Sequence, residues 1–429
     1  MASVTVTEAP VAARRHLSGA LVLTATMLAV SGSNYLLNLV LARFLSPAEF
    51  GDANLAINLV LIAAAAAATL QLLSARSGAI DDPAAVATRR RLSRGAWIIG
   101  GIAGAGMTFG SFYLADTFST STPLVFVLIG IGLPIYLTQA VFRGALQGDL
   151  RLGRLAVSYA VEAAVRVAIS IGALALGYGV TGAAAAISVS FVASALIARH
   201  RVAVPVDDRH AVAAPSGLAA LSLSATALLV GQVVIANGDV VLAKAVMAPE
   251  TAGTYAAAAV IGRGLFFLSW AVVHSTFPVV ARAENADDRR HAAVRALAMV
   301  MTMCSAAVIG LAVLGDRIAP LLLGDAFADA ADILVPYAGA TTLFAVANLV
   351  ASLDLAAGRW RAPGALLIGA GLQTLLLISF GSTPMSMTLA QVVAMALTAL
   401  LVGAAHLCDN RMDRQGSQST KTPYEHGDR

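Results

Sequence analysis

Apolar runs long enough to cross a lipid bilayer recur from Leu17 to Leu407, separated by short polar breaks. Mean hydropathy is +0.80 and only 12% of the 429 residues are charged, too little polar surface to cover a water-soluble globule. A spanning helix needs about 20 mostly apolar residues. Twelve runs meet that length, near 17–42, 53–79, 95–116, 124–143, 156–178, 180–198, 217–245, 253–281, 292–314, 331–356, 363–380 and 384–407. They are continuous rather than alternating, so helices are expected and a barrel is not. The predicted fold class is an all-α polytopic membrane protein of about twelve transmembrane helices. The connections are too short for a soluble domain, which argues against a large extramembrane active site.

The net charge of +4 does not point to a nucleic-acid partner; its distribution is more informative. Arg14 and Arg15 precede the first run, Arg76 to Arg94 follow the second, and Arg143, Arg151 and Arg154 close the fourth. Arg199, Arg201 and Arg209 follow the sixth, Arg282 to Arg295 the eighth, Arg359 and Arg361 the tenth, and Arg411 and Arg414 the twelfth. The alternate connections carry mainly acids: Glu49, Asp52, Asp116, Glu250, Asp316, Asp325, Asp329 and Asp332, with Arg317 as the exception. Positive charge is retained on the cytoplasmic side, so an even number of spans with both termini inside is expected. The Arg14–Arg15 pair is read as the flank of a retained first helix rather than an export signal. Cys304 and Cys408 offer neither a disulfide framework nor metal-ligand spacing, and no metal site or cofactor is expected.

The polar stretch 199–216 divides the chain in two. The expected organisation is a cytoplasmic segment 1–16, an N-lobe 17–198, the linker 199–216, a C-lobe 217–407 and a tail 408–429. The first connection of each half reads alike: LARFLSPAEFG from Leu41 to Gly51 and LAKAVMAPETAG from Leu242 to Gly253. Both halves start and end on the same side, which predicts parallel six-helix repeats about an axis normal to the membrane. Gly100, Gly104, Gly106 and Gly110 in the third run are read first as close intramolecular helix packing and second as a dimer face.

Asn34–Leu45 followed by Ser46-Pro47-Ala48-Glu49-Phe50-Gly51 resembles the first hairpin of polysaccharide-biosynthesis flippases. These belong to the multidrug/oligosaccharidyl-lipid/polysaccharide (MOP) exporter superfamily. Arg143-Gly144-Ala145-Leu146-Gln147-Gly148 is similar to the family's inner loop. Asp239-Val240-Val241-Leu242-Ala243-Lys244, leading to Gly253-Thr254-Tyr255 and then Phe277-Pro278, resembles its second-half signature. The resemblance implies two lobes facing a central cavity. It also implies outward movement of undecaprenyl diphosphate-linked oligosaccharide across the bacterial inner membrane, with Na+ or H+ as coupling ion.

Ionisable groups inside lipid cost ~2.5–3.5 kcal/mol each on insertion scales and by default face the bundle interior. Arg166 and Arg263 lie well inside, one per half. Glu162 shares a helix face with Arg166 and reads as a local ion partner, or as the group that holds a phosphate-gripping fork in place. Arg263, Trp270 and His274 share another face, suited to a diphosphate and a stacked sugar, with His274 able to carry a proton near neutrality. Asn34 and Asn38, then Gln139, Arg143 and Gln147, then Gln232 and Asp239, repeat at helical spacing, as interhelical hydrogen-bonding groups or as a sugar-binding lining. Asp239 is the first candidate for ion coupling or for pairing with a cation across the lobe interface; Asp354 is expected to be solvated. Arg43 and Lys244 occupy matching positions in the two halves, as anchors or as gate charges. No nucleotide-binding glycine loop, Ser/His/Asp arrangement or zinc motif is present, so the chain is not expected to be an enzyme.

The reading these features support is an alternating-access flippase for lipid-linked oligosaccharide or polysaccharide precursors. Its rivals are a cation-coupled multidrug antiporter of the MATE type and, from another class, a membrane glycan polymerase or ligase, for which Asp316–Asp332 is the longest candidate outer segment.

Overall fold

The computed structural model describes residues 9–77, 83–199, 216–282 and 286–419. The expected N-terminal segment (in part), most of the linker and the end of the tail lie outside them. Among the described residues thirteen α-helices follow in sequence: α1 (Ala9–Phe44), α2 (Pro47–Ala75), α3 (Pro83–Phe109), α4 (Ser111–Thr117), α5 (Leu124–Gly148), α6 (Leu152–Ala175), α7 (Gly179–Ala198), α8 (Ser216–Val246), α9 (Pro249–Arg282), α10 (Ala286–Leu323), α11 (Ala331–Ala356), α12 (Arg361–Phe380) and α13 (Pro384–Ser419). A 3₁₀ turn, Asp325–Ala330, precedes α11, and no strand occurs among the described residues. Eleven helices are long and apolar enough to cross a membrane, and twelve spans result if α3 and α4, bent by 67° at Gly110, count as one. The twelve apolar runs in the sequence are therefore twelve helical segments.

Local chemistry sets the boundaries. Pro47 occupies the first turn of α2, where its missing N–H costs nothing. Ser46 caps that turn in a reciprocal box with Glu49: the Glu49 N–H donates to Ser46 Oγ at 3.4 Å and the Ser46 N–H to Glu49 Oε2 at 3.0 Å. Gly324, at φ +106°, ends α10 in a conformation other residues adopt only under strain.

The chain forms two compact units. The first comprises Met1–Ala214 with Ala243–Ala257 and Ala319–Ala328; the second comprises Pro215–Leu242, Ala258–Ile318 and Asp329–Arg429. In the first, α5 is central, packed on α2, α3 and α7, while α6 packs on α1 and α7. The glycines of α3 are the reason α5 approaches it so closely. A Cβ on Gly104 would lie 2.2 Å from the Gly130 carbonyl oxygen, and one on Gly100 2.6 Å from the Pro134 Cα. The glycine row is thus an intramolecular seam at those two positions. In the second unit, α13 packs on α11 and α12, and Val272, Val300, Cys304, Ala345 and Leu349 join α9, α10 and α11 in one apolar cluster. Large apolar side chains such as Trp97, Ile102, Phe109, Leu196 and Ile368 remain exposed, as lipid contact requires.

Candidate functional site

Within the first unit, three charged side chains from α5 and α6 share one network. Arg143 Nη2 donates to Glu162 Oε2 at 2.7 Å and to Ser194 Oγ at 2.6 Å, its Nε donates to Ser158 Oγ at 3.0 Å, and its guanidinium lies 3.8 Å from the centre of the Tyr159 ring. Glu162 Oε2 also accepts from Gln139 Nε2 at 3.1 Å, while Oε1 accepts from Arg166 Nη2 at 2.6 Å. Arg166 reaches α1 through Nη1 to Asn34 Oδ1 at 3.3 Å, and its Nε is buried with no hydrogen-bond partner among the described residues.

One carboxylate therefore serves two guanidinium groups. The side chains of Arg143, Glu162 and Arg166 are 6%, 13% and 16% exposed, so a net positive charge is carried within the spans. Arg143, the more enclosed of the two and tied to Ser158 on α6 and Ser194 on α7 through Nε and Nη2, serves as scaffold. Arg166, less enclosed and with an idle donor, is the cation able to accept a further anionic partner. Asn38 bonds the Asn34 carbonyl on its own helix at 2.9 Å, and Gln147 accepts from Gln71 at 2.9 Å, so neither joins this network directly.

The second unit holds a balanced counterpart. Asp239, fully buried, accepts from Arg263 Nη2 at 2.9 Å and from the Tyr337 hydroxyl at 2.6 Å. Its cation is on α9 of the same unit, not across a lobe interface. Arg263 and Tyr337 line a small cleft with Ile235, Phe266, Thr341, Phe344 and Gln391. Gln232 donates to Asn348 Oδ1 at 2.5 Å. Trp270 and His274 belong to α9, but their side chains lie outside the described residues. Asp354, expected to be solvated, is instead buried: its side chain is 3% exposed, Arg359 reaches it at 3.2 Å and His406 Nδ1 lies 2.9 Å away. Arg359, just past the end of α11, and His406 within α13 close over it.

Arg43 and Lys244, alike in the sequence pattern, do different work. Lys244 makes a buried ion pair with Asp52 at 2.7 Å, the two side chains being 1% and 2% exposed. Arg43 donates to the carbonyl oxygens of Leu321 and Leu322 at the end of α10. Among the pairings that sequence reasoning missed are Asp52 with Lys244 and Tyr337 with Asp239. Asp52 was visible only as one of the acids of the alternate connections, one residue after the repeated Pro–Gly motif. Tyr337 stands among apolar residues with no polar periodicity.

No group of three potential metal ligands occurs among the described residues. No curated protein matches the sequence. The family model described as polysaccharide biosynthesis protein matches residues 16–284. Similar solved structures include an inward-facing MATE-family multidrug resistance transporter of the MOP superfamily (15% identity, TM-score 0.71, 91% of this chain and 96% of that one). Others are an outward-facing one (15%, 0.56, 94% and 96%) and a eukaryotic MATE transporter (15%, 0.60, 91% and 95%). At such identities these neighbours establish the fold. The match over residues 16–284 shows that the chain, whose apolar helices are long enough to make it a multi-pass membrane protein, belongs to the polysaccharide biosynthesis protein family.

Proposed function

We propose that the protein is an exporter of the MOP type that carries a lipid-linked saccharide precursor with an anionic head group, most simply a polyprenyl diphosphate glycan, outward across the bacterial inner membrane by alternating access. One observation carries this reading: Glu162 is shared by Arg143 and Arg166, leaving an unbalanced guanidinium within the spans at a cost of ~2.5–3.5 kcal/mol on insertion scales. A phosphate group returns that cost through charge-assisted bonds. Arg166 is the primary grip and Arg263, already paired with Asp239, the secondary one. Asn34, Asn38, Gln147, Gln232 and Trp270 supply hydrogen bonds and stacking for sugars, while the lipid tail stays in the bilayer. Glu162 and Asp239 become available to a coupling Na+ or H+ when the head group draws Arg166 and Arg263 away from them, His274 is a further proton carrier, and Arg43 and Lys244 are gate charges at the arginine-poor end. Both termini are cytoplasmic in this reading, and the protein performs no covalent chemistry.

The multidrug antiporter reading needs a carboxylate open to a cation in the resting protein, whereas Glu162 and Asp239 are engaged by arginine, Asp52 by Lys244 and Asp354 by Arg359. The polymerase reading needs a catalytic outer domain, whereas the segment Asp316–Asp332 is the end of α10, the 3₁₀ turn and the start of α11. The test is transport of a fluorescent polyprenyl-diphosphate disaccharide in proteoliposomes. The Arg166→Ala, Arg263→Ala double variant is expected to lose transport, with Arg166→Ala alone accounting for most of the loss. Transport unchanged in the double variant overturns the grip.

A further inference from the structure

Two short stretches from the second half of the chain, Ala243–Ala257 and Ala319–Ala328, are part of the compact unit built by the first half. Three kinds of contact hold them there. Gly51 on α2 meets Gly253 on α9 backbone to backbone, Phe50 and Phe327 pack edge to face with centroids 5.2 Å apart, and Asp52 pairs with Lys244. The third is the odd one, because desolvation cancels much of a buried ion pair's attraction and an apolar pair holds as firmly. What an ion pair adds is a threshold. Parting the two charges strands both until water arrives, so intermediate separations are the costliest.

The two partners are not held equally. Asp52 Oδ2 also accepts from the Ser121 N–H at 2.8 Å and from its hydroxyl at 2.7 Å, both within the first half. Among the described residues, Lys244 has only the Ser119 carbonyl in addition, at 3.5 Å. On parting, the carboxylate keeps two donors, while the ammonium loses its anion. We propose that Asp52 and Lys244 are a charge latch that holds the arginine-poor end shut and releases once per transport cycle, Lys244 being the member that moves away. This rests on the alternating-access reading.

In a background with Cys304 and Cys408 replaced by serine, Ala252→Cys, buried beside Gly253, reports opening through its labelling by a membrane-impermeant maleimide. Asp52→Lys and Lys244→Asp are each expected to raise the labelling rate at least about tenfold, and the double exchange to return it to within about threefold of the parent. Asp52→Asn, which keeps the shape, is expected to raise it by a smaller factor and covers the case in which a charge reversal does not fold. Unchanged labelling in the folded single variants, or no recovery in a folded double exchange, overturns the latch. Joining Phe50→Cys to Phe327→Cys with a short bismaleimide tests the wider reading: equal transport of the fluorescent disaccharide lipid by the cross-linked and the uncross-linked protein overturns alternating access at this end. Arrest on cross-linking with no labelling change in the single variants removes only the latch.

Discussion

Gly51 and Gly253, each four residues after the proline of its repeat, lie against each other so closely that a Cβ built on Gly51 would sit 3.2 Å from the Gly253 Cα. The crossing is asymmetric, since a Cβ on Gly253 would lie 1.7 Å from the Pro47 carbonyl oxygen. Backbone cannot move aside as a side chain can, and overpacking of this kind costs ~1–3 kcal/mol or more. Gly253→Ala is therefore expected to lower the melting temperature of the detergent-solubilised protein clearly more than Gly51→Ala does. Gly264→Ala, on the same helix with open space at its Cβ, is the control and is expected to be neutral or stabilising by up to ~1 kcal/mol. Equal melting temperatures for the Gly253 and Gly264 variants contradict the crossing.

The Asp239–Arg263–Tyr337 cluster makes a graded prediction. Tyr337→Phe removes the hydroxyl that bonds Asp239 and Arg263 and leaves the ion pair, a loss of ~1–3 kcal/mol. Asp239→Asn leaves Arg263 without its anion, and breaking one side of a buried pair costs ~3–5 kcal/mol. Replacing both charges, Asp239→Leu with Arg263→Met, is expected to be milder than Asp239→Asn alone. A double-mutant cycle on thermal stability measures this. Additive losses would mean that the two charges do not depend on each other.

Span number was legible in the sequence because lipid forces continuous apolar helices, and length alone separates one from the next. The third run was the weak point: the bend at Gly110 between α3 and α4 is set by backbone geometry that hydropathy does not register. Glu162 and Arg166 could be paired from their one-turn spacing, but the claim of Arg143 on the same carboxylate depends on how α5 meets α6, which no local pattern encodes. Lys244 was visible as a counterpart of Arg43, yet the acid that neutralises it is 192 residues earlier in the chain. Asp354 lies near a helix end, which in a sequence suggests access to water, but Arg359 and His406 cover it.

Arg43 and Gly324 terminate α10 from opposite directions. The guanidinium supplies donors to the carbonyl oxygens of Leu321 and Leu322, which have no partners within the helix, and it complements the negative end of the helix dipole. Gly324 provides the positive φ that turns the chain away. Arg43→Met keeps the stem and removes the donors, with an expected loss of ~1 kcal/mol. Gly324→Ala adds backbone strain of ~1–3 kcal/mol. Hydrogen exchange of amides near the end of α10 is expected to speed up in both variants, while the centre of α5 stays as protected as in the parent. A global rise instead would assign Arg43 to the stability of the whole unit.

The charge imbalance around Glu162 separates structure from ligand binding. Arg166→Gln leaves Arg143 and Glu162 as a balanced pair, so resting stability is expected to stay within ~1 kcal/mol of the parent. Glu162→Gln leaves two guanidinium groups facing each other without an anion, and a drop of ~3–5 kcal/mol follows. Adding Arg166→Gln to Glu162→Gln removes the repulsion and is expected to recover part of that drop. Inorganic pyrophosphate serves as a minimal head-group probe. A ligand that binds the folded form raises stability, by ~2.7 kcal/mol at a hundred times its dissociation constant. Pyrophosphate is expected to raise the melting temperature of the parent, to raise that of Glu162→Gln by more because the unneutralised charge is larger, and to leave Arg166→Gln unchanged. An equal rise in the parent and in Arg166→Gln would place the anion elsewhere and remove Arg166 from the transport path.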